Sequence, residues 1–259
     1  MVIDLLRDLR RKLKATPNTI AHLRTSVRIA WIEKNAMLPL EPTRDNTMQY
    51  WTECQQFYRQ FRQQYHTTGS ILPSSRALAR AMTRPMRQAM SPRRILEIGP
   101  GTGAVTAEIV RQLRPGDQLD IVEINADFVA FLGQRFAEEP DFQRRRSQSR
   151  IMHCPLQEVP GEQVYDFMIS GLPLNNFSLD LVEDIYKSYE RLLKPGGMLT
   201  SFEYVWVREI RLPFARGSER DRLTKLTHYL EGKFRRYQVD QEVVYLNMPP
   251  AVARHLRFQ

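Results

Sequence analysis

Residues 95–109 read ILEIGPGTGAVTAEI, and this stretch decides the fold. An apolar run with one acidic residue, Glu97, leads into three glycines at alternate positions, and residues with the spacing of a helix follow. Such a run predicts a buried strand that leaves its sheet through a tight bend. Glycine lets the backbone pass close to a ligand, and the start of a helix offers free N–H groups. The stretch therefore predicts a ligand site at the carboxyl end of the first strand of a parallel sheet.

Strands and helices alternate along the rest of the chain. Further strands are predicted in LDIVEI (119–124), RIMHCPL (150–156), YDFMISGLPL (165–174) and MLTSFEYVWV (198–207). Helices are predicted in VTAEIVRQL (105–113), DFVAFLGQRF (127–136), LDLVEDIYKSYERLL (179–193) and a basic segment at 218–233, and KPGG (194–197) is predicted as a turn. QVDQEVVYLNMPPAVARHLRF (238–258) has the pattern of two strands around an NMPP turn. We therefore expect an α/β fold with a Rossmann-like sheet of about seven strands that ends in an antiparallel hairpin.

The first part of the chain has a different pattern, which predicts a helical extension over residues 1–66 and a domain over 67–259. In the first segment Val2, Leu5, Leu9 and Leu13 fall at helical spacing, and basic residues occupy the other faces. A short helix is expected in SSRALARAMTRPM (74–86), just before the glycine-rich stretch.

Composition and charge restrict the possible partners and compartments. The chain has 259 residues, and 38 Lys and Arg against 29 Asp and Glu give a net charge of +9. This excess is compatible with a nucleic acid or an acidic membrane surface, and also with a basic protein that has no such partner. Cys54 and Cys154 lie far apart and indicate neither a disulfide framework nor a metal site, which fits a reducing cytoplasm. No stretch resembles a signal peptide or the ~20 apolar residues of a membrane span, so any membrane contact is expected to be peripheral.

Two carboxylates indicate which ligand the glycines serve. GPGTGA (99–104) satisfies the dinucleotide pattern G-x-G-x-x-G/A, which is a weak signal alone. Glu97, two residues before Gly99, would repel a pyrophosphate but suits the cationic amino-acid portion of S-adenosylmethionine. Glu123 ends the second strand about 20 residues after the glycines, where an acid binds two ribose hydroxyls. Together they favour S-adenosylmethionine over a nicotinamide cofactor, although Glu123 alone is compatible with a solvated strand-end acid.

The motifs also carry a family resemblance. EIGPGTG (97–103) followed by VEIN (122–125) resembles the class I methyltransferases. More narrowly, the chain resembles the bacterial phospholipid N-methyltransferases, which methylate amine head groups of membrane lipids. That resemblance rests on TTGSILPSSRALARAM (67–82), ILEIGPGTGAVT (95–106), IVEINADFVAFL (121–132), SGLPLNNF (170–177) and NMPPA (247–251). The first 50 residues exceed the usual family length and are compatible with a related branch, such as the ornithine-lipid N-methyltransferases.

The resemblance implies roles for particular residues. Contacts with the cofactor are expected from Glu97, Gly99, Gly101 and Glu123. Thr68, Gly69 and Ser70 are expected to close over the cofactor. Ser170 and Gly171 are expected to line the site around its methyl group. Pro155 stands where the family usually has an aspartate near the adenine, so the backbone of Leu156 is expected to replace that side chain.

An amine substrate makes its own chemical demands. An ammonium group has no lone pair, so a proton must leave before methyl transfer. A desolvated aromatic pocket lowers an amine's pKa and holds a methylated cation. Tyr65 and His66 are the candidates for that pocket, and Tyr204 with Glu203 is an alternative. Aromatic residues on a helix are also common in protein cores.

The lipid interpretation implies a membrane contact. The leucine stripe and basic faces of residues 1–14 suit a helix lying in the plane of an anionic membrane, to which Trp31 and Trp51 would add anchors. The same helices could instead pack on the domain or on a partner subunit, and the sequence leaves the oligomeric state open.

Three other functions share features with this sequence. RNA adenine dimethyltransferases share the first motif, but their fourth strand usually exits through N-L-P-Y, whereas this chain has Gly171 and Leu174 in the Asn and Tyr places. We therefore do not favour a nucleic-acid partner. A dehydrogenase fits poorly with the KPGG turn and the terminal hairpin. A membrane-surface protein that retains the fold without catalysis accounts equally well for the basic extension.

Overall fold

A single seven-stranded sheet organises the part of the chain that the structure describes. The computed structural model describes residues 74–90, 92–205, 217–247 and 249–258. The strands are β1 (Arg94–Ile98), β2 (Gln118–Glu123), β3 (Ser149–His153), β4 (Tyr165–Ser170), β5 (Leu193–Tyr204), β6 (Gln238–Val244) and β7 (Ala251–Arg257). Their order in the sheet is β3-β2-β1-β4-β5-β7-β6. The predicted helical extension, residues 1–66, lies outside the described residues.

The direction of the strands confirms the predicted topology. β1, β2, β3, β4 and β5 are parallel, and β7 runs antiparallel to both β5 and β6. The carboxyl ends of β1, β2, β4 and β5 therefore lie at one edge of the sheet, which we call the cofactor edge. The order of the strands reverses between β1 and β4, and ligands of open parallel sheets bind in the crevice beside such a reversal.

Helices cover both faces of the sheet. They are α1 (Arg76–Met82), α2 (Arg84–Gln88), α3 (Ala104–Gln112), α4 (Ala126–Glu138), α5 (Pro140–Gln143), α6 (Leu179–Leu192) and α7 (Gly217–Tyr237). Side-chain caps fix where several begin: Asn125 accepts from the N–H groups of residues 127 and 128, and Ser178 accepts from that of Leu181. Such caps satisfy N–H groups that have no partner inside the helix.

Two hydrophobic cores form, one on each face of the sheet. Leu96, Ile98 and Met168 point to the face covered by α6, with Tyr186 and Tyr189 of that helix. Ile95, Ile121 and Ile169 point to the opposite face with residues of α1, α3 and α4. Side chains of adjacent strand residues alternate between the two faces, so both sets of side chains on these apolar strands are buried.

The structure differs from the sequence prediction at two segments. KPGG (194–197) was expected to be a turn, but it lies within β5 as an irregularity in the pairing with β4 between Tyr165 and Phe167. Gly196 takes a positive φ of 76° there, and its N–H donates to the carbonyl of Phe258. The short helix expected over 74–86 is divided at Thr83 into α1 and α2, because Pro85 lies in the first turn of α2 and proline suits a helix start.

The β6–β7 turn is hydrogen-bonded to the residue before α1. The side-chain oxygen of Asn247 accepts a 2.9 Å hydrogen bond from the backbone N–H of Ser75, and the Asn247 amide donates to the carbonyl of Pro249 at 2.8 Å. The chain just before α1 is thereby held at the cofactor edge.

Candidate functional site

The glycine loop, residues 99–103, leaves β1 at the cofactor edge and leads directly into α3. Gly101 and Gly103 have φ values of 55° and 78°, a conformation that side-chain-bearing residues seldom adopt. A β-carbon on Gly101 would meet nothing within 4 Å, so open space lies beside this part of the loop. A β-carbon on Gly103 would lie 2.7 Å from both Arg135 Nη1 and Leu132 Cδ2. The loop therefore packs tightly against α4 at one end and leaves room for a ligand at Gly101.

Glu123 ends β2 directly beside this loop. One carboxylate oxygen accepts from the N–H of Gly101 at 3.3 Å, and the other accepts from the N–H of Asn125 at 2.8 Å. Its side chain is buried, and burial raises the pKa to about 7, although the N–H groups of Asn125 and Gly101 oppose the rise. Each carboxylate oxygen has two lone pairs, so both can still accept a hydroxyl. Glu123 thus shapes the loop and keeps acceptor capacity for a ligand.

Glu97 is a second buried carboxyl group, near the end of β1. Only 2% of the residue is exposed, and its Oε2 has no hydrogen-bond partner within the described part of the chain. Burial raises its pKa to about 8; neighbouring Thr106 lowers it, and the negative charge of Glu123 raises it further. A buried acid without a full set of partners is costly. It suits a site in which an incoming cation supplies the missing interaction.

Arg135 of α4 holds the glycine loop from its other side. Its Nη1 donates to the carbonyls of Thr102 at 2.9 Å and Gly103 at 2.8 Å. Its Nε and Nη2 bind Glu139, and its guanidinium lies 4.3 Å from the ring centre of Phe142. No local sequence pattern marks Arg135, because its contact depends on α4 packing against a loop more than 30 residues earlier.

The exit of β4 lies directly beside the glycine loop. The N–H of Gly171 donates to the carbonyl of Ile98 at 2.8 Å, and a β-carbon on Gly171 would lie 2.5 Å from the carbonyl oxygen of Gly99. Ser170 is buried, and its hydroxyl lies 2.7 Å from that of Tyr189. Of this predicted pair, Gly171 therefore lies against the loop, whereas the Ser170 side chain is buried in the core against Tyr189.

Tyr204 and Glu203 do not form one pocket. They are neighbours at the end of β5, so their side chains point to opposite faces of the sheet. Glu203 binds Arg254 at 2.9 Å, and Tyr204 packs edge-on against Phe202 at 5.3 Å between ring centres. The alternative amine pocket proposed from the sequence is therefore not assembled in this form.

Comparisons with known proteins identify the family. A family model described as "Methyltransferase domain" matches residues 95–197. The chain is 33% identical over 141 residues to an ornithine lipid N-methyltransferase of Singulisphaera acidiphila, a match that covers 53% of this chain and 71% of that protein. The chain belongs to the S-adenosylmethionine-dependent methyltransferase family. This methyltransferase is also 34% identical over 101 residues to a ribosomal RNA small subunit methyltransferase A of Synechococcus, a match covering 39% of this chain and 35% of that protein.

A solved structure supports the fold. The 1,6-didemethyltoxoflavin-N1-methyltransferase of Burkholderia thailandensis, solved with S-adenosylhomocysteine, has a TM-score of 0.51 to this methyltransferase at 19% identity. The match covers 85% of this chain and 94% of that one. The Rossmann-like methyltransferase fold is therefore shown, and S-adenosylmethionine is the cofactor of the family.

The glycine loop of this methyltransferase fits that cofactor. Open space lies beside Gly101, the Glu123 oxygens keep lone pairs that would accept hydroxyls, and, among the described residues, Glu97 Oε2 lacks a partner that a cationic group would supply. Leu156, expected near the adenine, begins a 3₁₀ turn after β3, and its N–H has no partner within that turn. Within the described ranges, no cluster of three metal-binding side chains occurs.

Several predicted site residues lie outside the described residues. These are Tyr65 and His66, expected at the amine, and Thr68, Gly69 and Ser70, expected to close over the cofactor. The bond from Ser75 to Asn247 brings the chain that follows them to the cofactor edge.

Proposed function

We propose that this methyltransferase transfers a methyl group to the primary amine of a membrane lipid head group, either phosphatidylethanolamine or an ornithine lipid. The observation that carries the proposal is the 33% identity to an ornithine lipid N-methyltransferase, which extends over 71% of that protein. The TGS-x-x-PSS and SGLPL motifs, which resemble those of phospholipid N-methyltransferases, support the same substrate class.

RNA adenine dimethylation is the second candidate, because ribosomal RNA methyltransferases are among the relatives. The exit of β4 argues against it. An asparagine in place of Gly171 would bring its β-carbon to within 2.5 Å of the Gly99 carbonyl oxygen, so the backbone would have to move. Leu174, in the place of the base-stacking tyrosine, is buried in the core under α6. Neither residue supplies the hydrogen bond or the aromatic face that grips a flipped adenine.

The proposed chemistry divides the work between cofactor and chain. Bound S-adenosylmethionine supplies an activated methyl group, so the protein mainly binds, aligns and excludes water. Glu123 is proposed to accept the ribose hydroxyls, and Glu97 to face the cationic amino-acid portion. Gly99 and Gly101 are proposed to let the backbone approach the cofactor, and Ser170 and Gly171 to border its methyl end through their backbone.

The substrate amine must lose its proton before it can attack the methyl group. Tyr65 and His66 are proposed to line the amine pocket, where desolvation lowers the amine's pKa. Thr68, Gly69 and Ser70 are proposed to close the site.

Access to a lipid requires contact with a membrane surface. Within the described ranges, no helix is both long and apolar enough to cross a bilayer. We propose that residues 1–66 form a helical extension whose basic, leucine-striped first segment rests on an anionic membrane. The proposed location is the cytoplasmic side of the membrane, as a peripheral protein.

A direct competition of substrates tests the proposal. The full chain is incubated with methyl-labelled S-adenosylmethionine, vesicles containing phosphatidylethanolamine or ornithine lipid, and unmodified small-subunit ribosomal RNA. We expect mass increments of one or more methyl groups on a lipid amine and none on the RNA. Labelled RNA with unlabelled lipids would replace the proposal with the second candidate.

A further inference from the structure

The described residues of the β6–β7 turn, 245–247 and 249–250, lie at the cofactor edge of the sheet. Ala251, the first residue of β7, pairs with both Tyr204 at the end of β5 and Val244 at the end of β6. The N–H of Val205 also donates to the carbonyl of Pro250 at 2.8 Å. The turn therefore projects from the edge where the glycine loop lies, and it joins the two strands that follow β5 in the sheet order.

The tip of this turn is apolar and exposed. Tyr245 is 60% exposed and Leu246 is 85% exposed, whereas the next residue, Asn247, is buried. Asn247 anchors the turn through its bonds to Ser75 and Pro249. The anchored turn thus exposes two large apolar side chains to solvent, which is unfavourable in water unless another surface covers them.

The helix that begins at the anchored Ser75, α1, packs against β6 and β7 and carries exposed positive charge. Arg76 and Arg80 are exposed and four residues apart, hence on one face of α1. Within the described part of the chain, neither forms an ion pair with a carboxylate. The acidic groups of neighbouring β6, Asp240 and Glu242, are both paired with Arg84. Three arginines thus face two carboxylates on α1, the start of α2 and β6, which leaves one net positive charge.

We propose that Tyr245 and Leu246 insert into the interfacial layer of an anionic bilayer while Arg76 and Arg80 contact its phosphates. This surface, residues 76, 80, 245 and 246, is called the tip surface. The inference rests on the proposed lipid substrate and deepens it, because the surface would direct the cofactor edge towards the membrane. Tyrosine with an aliphatic neighbour and flanking arginines is typical of interfacial anchors.

A second copy of the chain explains the tip surface less well. Stable protein interfaces bury about 800 Å² on each partner, far more than two side chains offer. Among the described strands β6 is outermost, and pairing with another copy along it is also disfavoured, because Asp240 and Glu242 place charges on that strand.

The test uses the full-length protein and vesicles of phosphatidylethanolamine with phosphatidylglycerol. Leu246→Asp should weaken vesicle binding roughly tenfold or more, because it removes an inserted leucine and adds a charge that the lipids repel. Arg76→Gln with Arg80→Gln should weaken binding mainly at low salt. Met90→Asp is the matched control: Met90 is 89% exposed but precedes β1, at the opposite edge of the sheet. It should bind vesicles like the wild type.

The outcomes separate this inference from the proposed function. Weaker vesicle binding by Leu246→Asp, with unchanged affinity for S-adenosylhomocysteine and retained methylation of detergent-dispersed lipid, supports it. Equal vesicle binding by Leu246→Asp and wild type overturns the inference. A variant that changes the oligomeric state but not vesicle binding overturns it too. If the wild type methylates no lipid in vesicles or detergent but binds vesicles through Leu246, the proposed substrate fails and the tip surface stands.

Discussion

Arg135 Nη1 donates a 2.8 Å hydrogen bond to the carbonyl oxygen of Gly103, and the same nitrogen occupies the space that a side chain at residue 103 would need. Both facts follow from the close approach of the Arg135 guanidinium to the backbone of Gly103. Glycine at position 103 is therefore required by the packing of α4 as well as by the positive φ of the loop.

Gly103→Ala should impair the cofactor site and destabilise the fold. The left-handed backbone costs an alanine roughly 1–2 kcal/mol, and the contacts with Arg135 and Leu132 add to that cost. Thermal unfolding and the affinity for S-adenosylhomocysteine measure both effects. Gly133→Ala is the control, because residue 133 lies within α4 and a β-carbon there meets nothing within 4 Å. It should stabilise the protein by up to about 1 kcal/mol; equal behaviour of the two variants would contradict the packing argument.

Gly171→Ala should disturb the junction between β4 and the glycine loop. Its β-carbon would lie 2.5 Å from the carbonyl oxygen of Gly99, a backbone atom that can yield only if the loop shifts. We expect at least a tenfold loss of cofactor affinity, or about 1.4 kcal/mol, measured by calorimetry. Gly232→Ala in α7, where a β-carbon meets nothing within 4 Å, should leave the affinity unchanged. Full affinity of Gly171→Ala would show that the loop tolerates a side chain there.

The two buried carboxyl groups predict how the stability of the cofactor-free protein depends on pH. Burial raises the pKa of Glu97 to about 8 and that of Glu123 to about 7. The folded state then holds protons that the unfolded state has released, so the free energy of unfolding falls as pH rises from about 4.5 to about 8. Burial lowers the pKa of His255 to about 4. Its titration makes the free energy of unfolding rise with pH up to about pH 6.5, opposite to the effect of the two carboxyl groups. The measurement is therefore made between pH 7 and 8.

The variant Glu97→Gln isolates the contribution of Glu97 to the pH dependence of the free energy of unfolding. The wild type should lose roughly 1 kcal/mol of stability between pH 7 and 8, and the variant should lose clearly less. Chemical denaturation at both pH values gives the difference. Parallel losses in the two proteins would mean that Glu97 is already ionised at neutral pH.

Deletion of residues 1–14 tests the proposed membrane role of the first segment. The truncated protein should bind anionic vesicles more weakly than the full chain, because it lacks a basic, leucine-striped segment. Its affinity for S-adenosylhomocysteine should stay at the full-length value. Vesicle co-sedimentation over a range of salt concentrations measures the first quantity, and unchanged binding would remove this segment from the account.

The sequence predicted the features that depend on local pattern. The apolar runs of β1, β2 and β4 predicted the order of these strands along the chain, and the glycines predicted a tight loop at the carboxyl end of β1. KPGG was predicted wrongly because its glycines indicate a turn, whereas the flanking residues Leu193 and Met198 both pair with β4 and Gly196 donates to Phe258, so the strand continues through the irregular segment. Arg135, the burial of Ser170 against Tyr189, and the bond between Ser75 and Asn247 depend on contacts between distant segments, which no local pattern reports.

The central claim is that the glycine loop with Glu123 holds the cofactor, and titration calorimetry with S-adenosylhomocysteine tests it most directly. The account predicts saturable binding of one molecule per chain to the wild type. Glu123→Ala should bind at least tenfold more weakly, because it loses the ribose acceptor and the bond to the Gly101 N–H. Absence of binding to folded wild-type protein, or wild-type affinity in a folded Glu123→Ala variant, would contradict the claim.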